Sequence, residues 1–160
     1  MSVPDVSAAL SVSYTEDGKP YVDDLDRAEA VCFSEPWSTK AIEEFLSQPY
    51  NHVLAALVNG VFAGYITYTR IADEIQIANV AVLPEFRRKG LADGLLCRLA
   101  QSAKQNGVTK TGLEVRVSNL PARSLYEKNG FEAVGSRRNF YRNPTEDAVL
   151  YDRYSENDAE

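Results

Sequence analysis

The chain has 160 residues, 44% of them hydrophobic and 25% charged, with a formal net charge of −6. That size and balance fit one soluble domain with its own core, and the surplus of acid excludes the basic surface on which general nucleic-acid binding rests. No apolar run approaches the ~18 residues that span a bilayer, and the start carries no basic stretch followed by an apolar one, so neither a membrane span nor a signal peptide is expected. Cys32 and Cys97 lie far apart, with no C-x-x-C and no neighbouring histidine. This argues for two free thiols in a reducing cytoplasm and against a metal or redox site.

Residues 1–18 are small and polar, with weak alternation at Leu10, Val12 and Tyr14, and read as a flexible arm or a first strand. A helix is expected over Asp23–Phe33, where Asp23, Asp24 and Asp26 load the first turn with favourable negative charge and Leu25, Ala28 and Cys32 share a face. Pro36-Trp37-Ser38 ends it, and Ser38 can cap a second helix over Thr39–Ser47. Val53–Val58, Val61–Ile71 and Glu74–Val82 read as three antiparallel strands. Asn59-Gly60 supplies a type I′ turn between the first two, and a turn near Ala72-Asp73 joins the second and third. Leu91–Gln105 carries a broad apolar helical face and stops at Asn106-Gly107, followed by a strand over Lys110–Val115. Ser118 or Asn119 can cap a further helix that tolerates Pro121 in its first turn and ends at Asn129-Gly130. Phe131–Gly135 and Ala148–Tyr154 read as a closing hairpin with a long loop, and residues 155–160 as an acidic, disordered tail. The expected fold class is α/β: one domain over residues 19–154, with a mixed, largely antiparallel sheet flanked by helices on both faces. The helix over Leu91–Gln105 must be a parallel crossover.

The run Val80-Ala81-Val82-Leu83-Pro84-Glu85-Phe86-Arg87-Arg88-Lys89-Gly90-Leu91-Ala92 joins a strand to a helix through a basic loop. Unpaired amides and the positive dipole end of a helix start face one point and make an anion site. Gly90 permits close backbone approach, and Arg87, Arg88 and Lys89 add positive charge. The amides from Arg88 to Asp93 are therefore expected to cradle a pyrophosphate. A ribose-binding acid or a Lys-Ser/Thr pair, which a nucleotide site would want, is not found there.

Arg87-Arg88-Lys89-Gly90-Leu91-Ala92, preceded by Asn79-Val80-Ala81-Val82, resembles the acetyl-CoA motif of the GNAT (general N-acetyltransferase) superfamily, Arg/Gln-x-x-Gly-x-Gly/Ala. Pro36-Trp37-Ser38, Leu113 to Asn119, Leu125 to Phe131, Arg137 to Tyr141 and Glu146-Asp147-Ala148 are similar to stretches of the bacterial ribosomal-protein-alanine N-acetyltransferases. The resemblance covers about residues 23–150 and implies a GNAT-like fold with acetyl-CoA as co-substrate. It also implies an acceptor that is a protein's N-terminal α-amine, possibly a ribosomal protein's. Val80, Ala81 and Val82 would pair with the pantetheine amides as an added strand, and an N–H near Ala81 or Val82 would serve the thioester oxygen. Leu91, Ala92 and Asp93 complete the cradle, and Asn119 matches a position that contacts CoA while also suiting a helix cap. Tyr141 matches an aromatic of the acceptor cleft.

An α-amine titrates near pH 8 and a lysine amine near 10.4, so neutralising them at pH 7.5 costs roughly 0.7 and roughly 4 kcal/mol respectively. A modest base therefore suffices for an α-amine. Glu114 interrupts an apolar strand, where a carboxylate is costly unless paired or functional. A surface position or a pairing with Arg116 would also explain it, but the resemblance implies the catalytic base. Tyr126 could be a packed helix tyrosine under Phe131, while the resemblance implies a general acid for the departing thiolate. Two other readings stay open. The acidic chain would suit acetylation of a small amine such as a polyamine, amino acid or aminoglycoside, and a non-catalytic acyl-CoA-binding module would keep the fold without needing Glu114 or Tyr126.

Overall fold

The computed structural model describes residues 11–155. The outer part of the expected arm, residues 1–10, and the tail beyond Ser155 lie outside the described residues. A seven-stranded sheet runs in the order β1-β2-β3-β4-β5-β7-β6. Its strands are β1 (Val12–Thr15), β2 (Asn51–Val58), β3 (Val61–Ile71), β4 (Glu74–Val82), β5 (Lys110–Arg116), β6 (Glu132–Tyr141) and β7 (Glu146–Tyr154). Every neighbouring pair is antiparallel except β4 and β5, which the crossover helix makes parallel.

Helices α1 (Val22–Cys32) and α2 (Thr39–Leu46) cover one face of the sheet. Leu25, Ala28 and Ile42 pack there on Val53, Ala55, Tyr65, Ala81 and Leu83. Helices α3 (Leu91–Gln105) and α4 (Leu120–Lys128) cover the other. Leu95, Leu96, Leu99 and Tyr126 pack there on Leu54, Ile66, Ile75, Ile77, Leu113 and Val115. Ser38 caps α2 by accepting from Ala41 N, as its position before Thr39 leads one to expect. Asn59 and Gly60 take the two positive φ values, 49° and 81°, of the type I′ turn.

The closing hairpin differs from the expectation. Its strands reach Tyr141 and Glu146, so the loop is short rather than long. The edge strand β6 is exposed at every residue before Tyr141, and a strand that buries neither face leaves no period-two signal.

What positions the site is a split in the sheet. β4 and β5 pair only at Glu74–Lys110, Ile75–Thr111 and Gln76–Gly112. Beyond that point the register of β4 on β3 shifts, because Tyr68 faces Ile77 while Thr67 faces Asn79, which leaves Ala78 as an extra residue. A bulge of this kind bends the strand and inverts the alternation beyond it. Ile75 and Ile77 point to the α3–α4 face before the bulge and Val80 and Val82 after it, while Asn79 and Ala81 turn to the α1–α2 face.

Candidate active site

Two connected cavities occupy the split. The first, about 450 Å³, runs between the end of β4 and the start of α3, with Val80, Val82, Arg88, Gly90 and Leu91 among its walls. The second, about 400 Å³, opens beside it between the loop after α1, strand β5 and the end of β6, and includes Trp37, Asn79, Glu114 and Tyr141. Phe33, Val80, Asn119, Ala122 and Tyr126 line both.

Most walls of the first cavity come from the stretch between Val80 and Asp93. A 3₁₀ turn over Pro84–Phe86 leads from β4 into the loop. Arg88 and Gly90 both adopt the left-handed conformation, at φ 64° and 75°. Gly90 stands at the N-cap of α3 without a side-chain cap, so the first amides of the helix keep no side-chain acceptor. Here the dipole end and the free N–H groups converge as an anion site requires.

The basic residues of the loop do not all serve it. Arg87 turns back, donating from Nε to Val82 O at 3.0 Å, with Nη2 3.7 Å from Cys32 Sγ. Lys89 is absent from the cavity walls, whereas Arg88 lies among them. Asp93 uses its carboxylate elsewhere, accepting from Asn129 Nδ2 at 2.9 Å and pairing with Lys128 Nζ at 3.0 Å. The hydrogen bond from Asn129, then that from Lys128, holds this carboxyl below its ordinary range. Asp93 thus ties α3 to α4, and its charge is compensated before an anion arrives. Leu83 N donates to Ala63 O, so by strict alternation Ala81 also faces β3, while the backbone groups of Val80 and Val82 face the split. Ala81, Ala92 and Asp93 still contribute walls.

The second cavity is built of side chains. Glu114 stands on β5 with 22% of its side chain exposed, accepting from Gln76 Nε2 at 3.0 Å, with Arg137 Nε at 3.8 Å. Arg116 does not pair with it. Its guanidinium instead lies over the Tyr141 ring at 4.6 Å, pairs with Glu146 at 3.2 Å and donates to the carbonyls of Pro144 and Arg142. That network fixes the β6–β7 turn and holds Tyr141 in the cleft. Burial, then the nearby Glu114 charge, pushes the Tyr141 phenol up to about 12.

Tyr126 sits at the seam, 7% exposed, edge-on to Phe131 and tilted against Tyr151. Burial, then Tyr141, pushes its phenol well above the usual range, so it keeps its proton at neutral pH. Among the described residues, none hydrogen-bonds to its hydroxyl. Glu114 shares the α1–α2 face of β5 while Tyr126 belongs to the α3–α4 layer. Only the split lets the two line one opening. Asn119 caps α4, accepting from Ala122 N at 3.2 Å, and so presents its side chain at the same seam.

Sequence reasoning leaves three parts of this arrangement undecided or unseen. Gln76, which the sequence offers either as an aid to the amine or its water chain or as exposed hairpin charge, is the donor to Glu114. The loop after α1 forms a wall through Phe33, Ser34, Glu35 and Trp37. Glu29 is buried at 1% exposure and is bonded to Tyr65, Asn79 and Trp37. Its position four residues after Leu25 and three before Cys32 sets a carboxylate in an apolar stripe, and that was the available signal. Among the described residues, no group of three or more His, Cys, Asp or Glu side chains could hold a metal ion, and no helix is long and apolar enough to cross a membrane.

A split sheet with a helix start of uncapped amides on one side, a carboxylate on the other and a proton-bearing phenol at the seam is an arrangement suited to group transfer. Residues 22–131 match the model of the acetyltransferase (GNAT) family, and the chain belongs to that family. It is 38% identical over 120 residues to the ribosomal protein bS18-alanine N-acetyltransferase of Escherichia coli K12, a match covering 72% of this chain and 78% of the relative. It is 34% identical over 125 residues to the N-alpha-acetyltransferase RimI of Mycobacterium tuberculosis, covering 76% of this chain and 77% of that protein. The crystal structure of the ribosomal-protein-S18-alanine N-acetyltransferase from Escherichia coli superposes with a TM-score of 0.86 at 28% identity, covering 94% of this chain and 97% of that one.

Proposed function

We propose that this chain transfers the acetyl group of acetyl-CoA to the N-terminal α-amine of a protein, with an alanine-starting ribosomal protein as the acceptor class. The observation that carries the reading is Tyr126 at the seam of the two cavities, with Glu114 on the acceptor side only. The named activities of the similar proteins agree with it.

In this reading the amides at the start of α3 hold the pyrophosphate, and the freed edge of β4 at Val80 and Val82 receives the pantetheine arm. Arg88 adds charge at the rim, while Arg87 braces the end of β4. The acceptor α-amine enters past Tyr141 and the loop after α1. Glu114 takes its proton, directly or through water, and Gln76 and Arg137 hold that carboxylate in place. The neutral nitrogen attacks the thioester carbon, and the carbonyl oxygen gains charge against an N–H of Val80 or Val82. The C–S bond then breaks with its electron pair going to sulfur, the amide carbonyl re-forms, the nitrogen gives up its remaining extra proton to solvent, and the Tyr126 hydroxyl supplies a proton to the sulfur. A phenol held this tightly begins its donation as a hydrogen bond to the stretching C–S bond and regains a proton from solvent. The products are the acetylated N-terminus and the free thiol of CoA.

Mass spectrometry of ribosomal-protein N-termini, from cells with and without this chain, tests the acceptor class. The expected result is loss of acetyl from an alanine N-terminus in the deficient cells. Unchanged N-termini together with loss of an acetylated polyamine, amino acid or aminoglycoside would favour small-amine acetylation instead.

A further inference from the structure

Glu29 is the one charged side chain among the fully buried residues described, and the mechanism above does not use it. Its carboxylate has three partners from three different parts of the fold. Oε1 accepts from the backbone N–H of Trp37 at 3.0 Å. Oε2 accepts from Asn79 Nδ2 at 2.9 Å and from the Tyr65 hydroxyl. Burying a carboxylate is costly unless each oxygen is satisfied, and here both are. Two of the three partners, Trp37 and Asn79, are walls of the acceptor cavity, and neither lines the coenzyme cavity. Asn79 can reach Glu29 only because the bulge at Ala78 turns it to the α1–α2 face.

We infer that Glu29 is a positioning residue for the acceptor: one buried carboxylate sets the loop over residues 33–38 and the β4 bulge against each other. The distance between those two walls then fixes the width of the cleft that the acceptor N-terminus enters. The inference rests on the reading that a protein N-terminus is the acceptor, and it adds that the acceptor and coenzyme cavities are separately braced. Asp93 and Arg87 hold the coenzyme side through contacts that Glu29 does not share.

The test is Glu29→Gln, which keeps the volume but leaves a single acceptor oxygen for three donors. A buried donor left unpaired is costly enough to shift an equilibrium about tenfold. KM for an alanine-starting peptide is expected to rise about tenfold, with the dissociation constant of acetyl-CoA, measured by calorimetry, within about twofold of the unsubstituted protein. Amide exchange is expected to speed up in residues 33–38 and to stay unchanged in residues 88–93. Tyr65→Phe removes one donor without adding a polar group, and serves if the Gln variant does not fold; a smaller shift of the same kind is expected. Equal weakening of peptide and acetyl-CoA binding, or faster exchange in both segments, would reduce Glu29 to a general fold residue and overturn the inference. If the unsubstituted protein does not acetylate the peptide, the acceptor reading fails by itself, and the exchange comparison still decides whether Glu29 braces the cleft.

Discussion

The two cavities of the split sheet are made of different materials. On the proposed coenzyme side most of the walls come from one stretch, Val80 to Asp93, with α4 and the end of α1 completing them, and that stretch offers backbone amides and a helix dipole. The acceptor side gathers residues from the loop after α1, β4, β5, α4 and β6, and its polar members Asn79, Glu114 and Arg116 are each held by a partner distant in the chain. A backbone cradle tolerates side-chain change but not a change of conformation, whereas a side-chain cleft is sensitive to single atoms. Substitutions should therefore separate cleanly, affecting turnover on one side and coenzyme affinity on the other.

The largest expected effect is on catalysis. Glu114→Gln removes the proposed base and should lower kcat about 100- to 1000-fold, leaving acetyl-CoA affinity intact by calorimetry. A matching loss of coenzyme affinity would break the separation. Tyr126→Phe should cost about 100-fold in kcat. Because its buried phenol stays protonated well above neutrality, the rate should show no alkaline fall from this group up to the ~10 of a free phenol. A pH–rate series on the unsubstituted protein checks that directly.

Next comes Gly90→Ala. A Cβ there meets nothing within 4 Å, so the only penalty is the left-handed φ of 75°. That conformation costs an L-residue about 1–2 kcal/mol, and acetyl-CoA should bind about tenfold more weakly while kcat at saturation changes little. Asn119→Ala sits between the cavities. Losing the cap should cost about 1 kcal/mol and lower Tm by about 2–4 °C, with both substrates weakened together. Thermal denaturation and the two KM values check it.

The smallest effect belongs to Asp93. Its folded carboxyl titrates below its ordinary value because Asn129 and Lys128 favour the anion. It therefore contributes stability above the ordinary value of ~3.9, and that contribution is lost as pH falls through the lower folded value. Asp93→Asn should lower Tm slightly at neutral pH, and the gap to the unsubstituted protein should close on acidification below about pH 4. A gap independent of pH would assign Asp93 a packing role alone.

The same contrast decides what could be read from the chain. The three central strands, the crossover helix and the tight turn at its start were legible because apolar periodicity, Asn59-Gly60, Gly90 and Asn106-Gly107 are local signals. Glu114 stood out as a carboxylate within Leu113 and Val115, and Asn119 as a cap before Pro121. The extent of β6 was not legible, since Glu132 to Phe140 buries nothing. Nor was the bulge at Ala78, a matter of register between strands. The bond of Asn79 to Glu29 depends on that register, and the bond of Gln76 to Glu114 on the pairing of β4 with β5, across 50 and 38 residues of chain. Side-chain cavities of this kind become visible only when the fold brings their parts together.

In the proposed reaction an acetyl group passes to an α-amine in the cleft between Glu114 and Tyr126. Its most direct test measures acetyl transfer from acetyl-CoA to an alanine-starting peptide with one internal lysine, beside the same peptide with its α-amine blocked. One acetyl group is expected at the N-terminus of the free peptide and none on the blocked copy. Equal turnover on the blocked peptide, through its lysine, would contradict it.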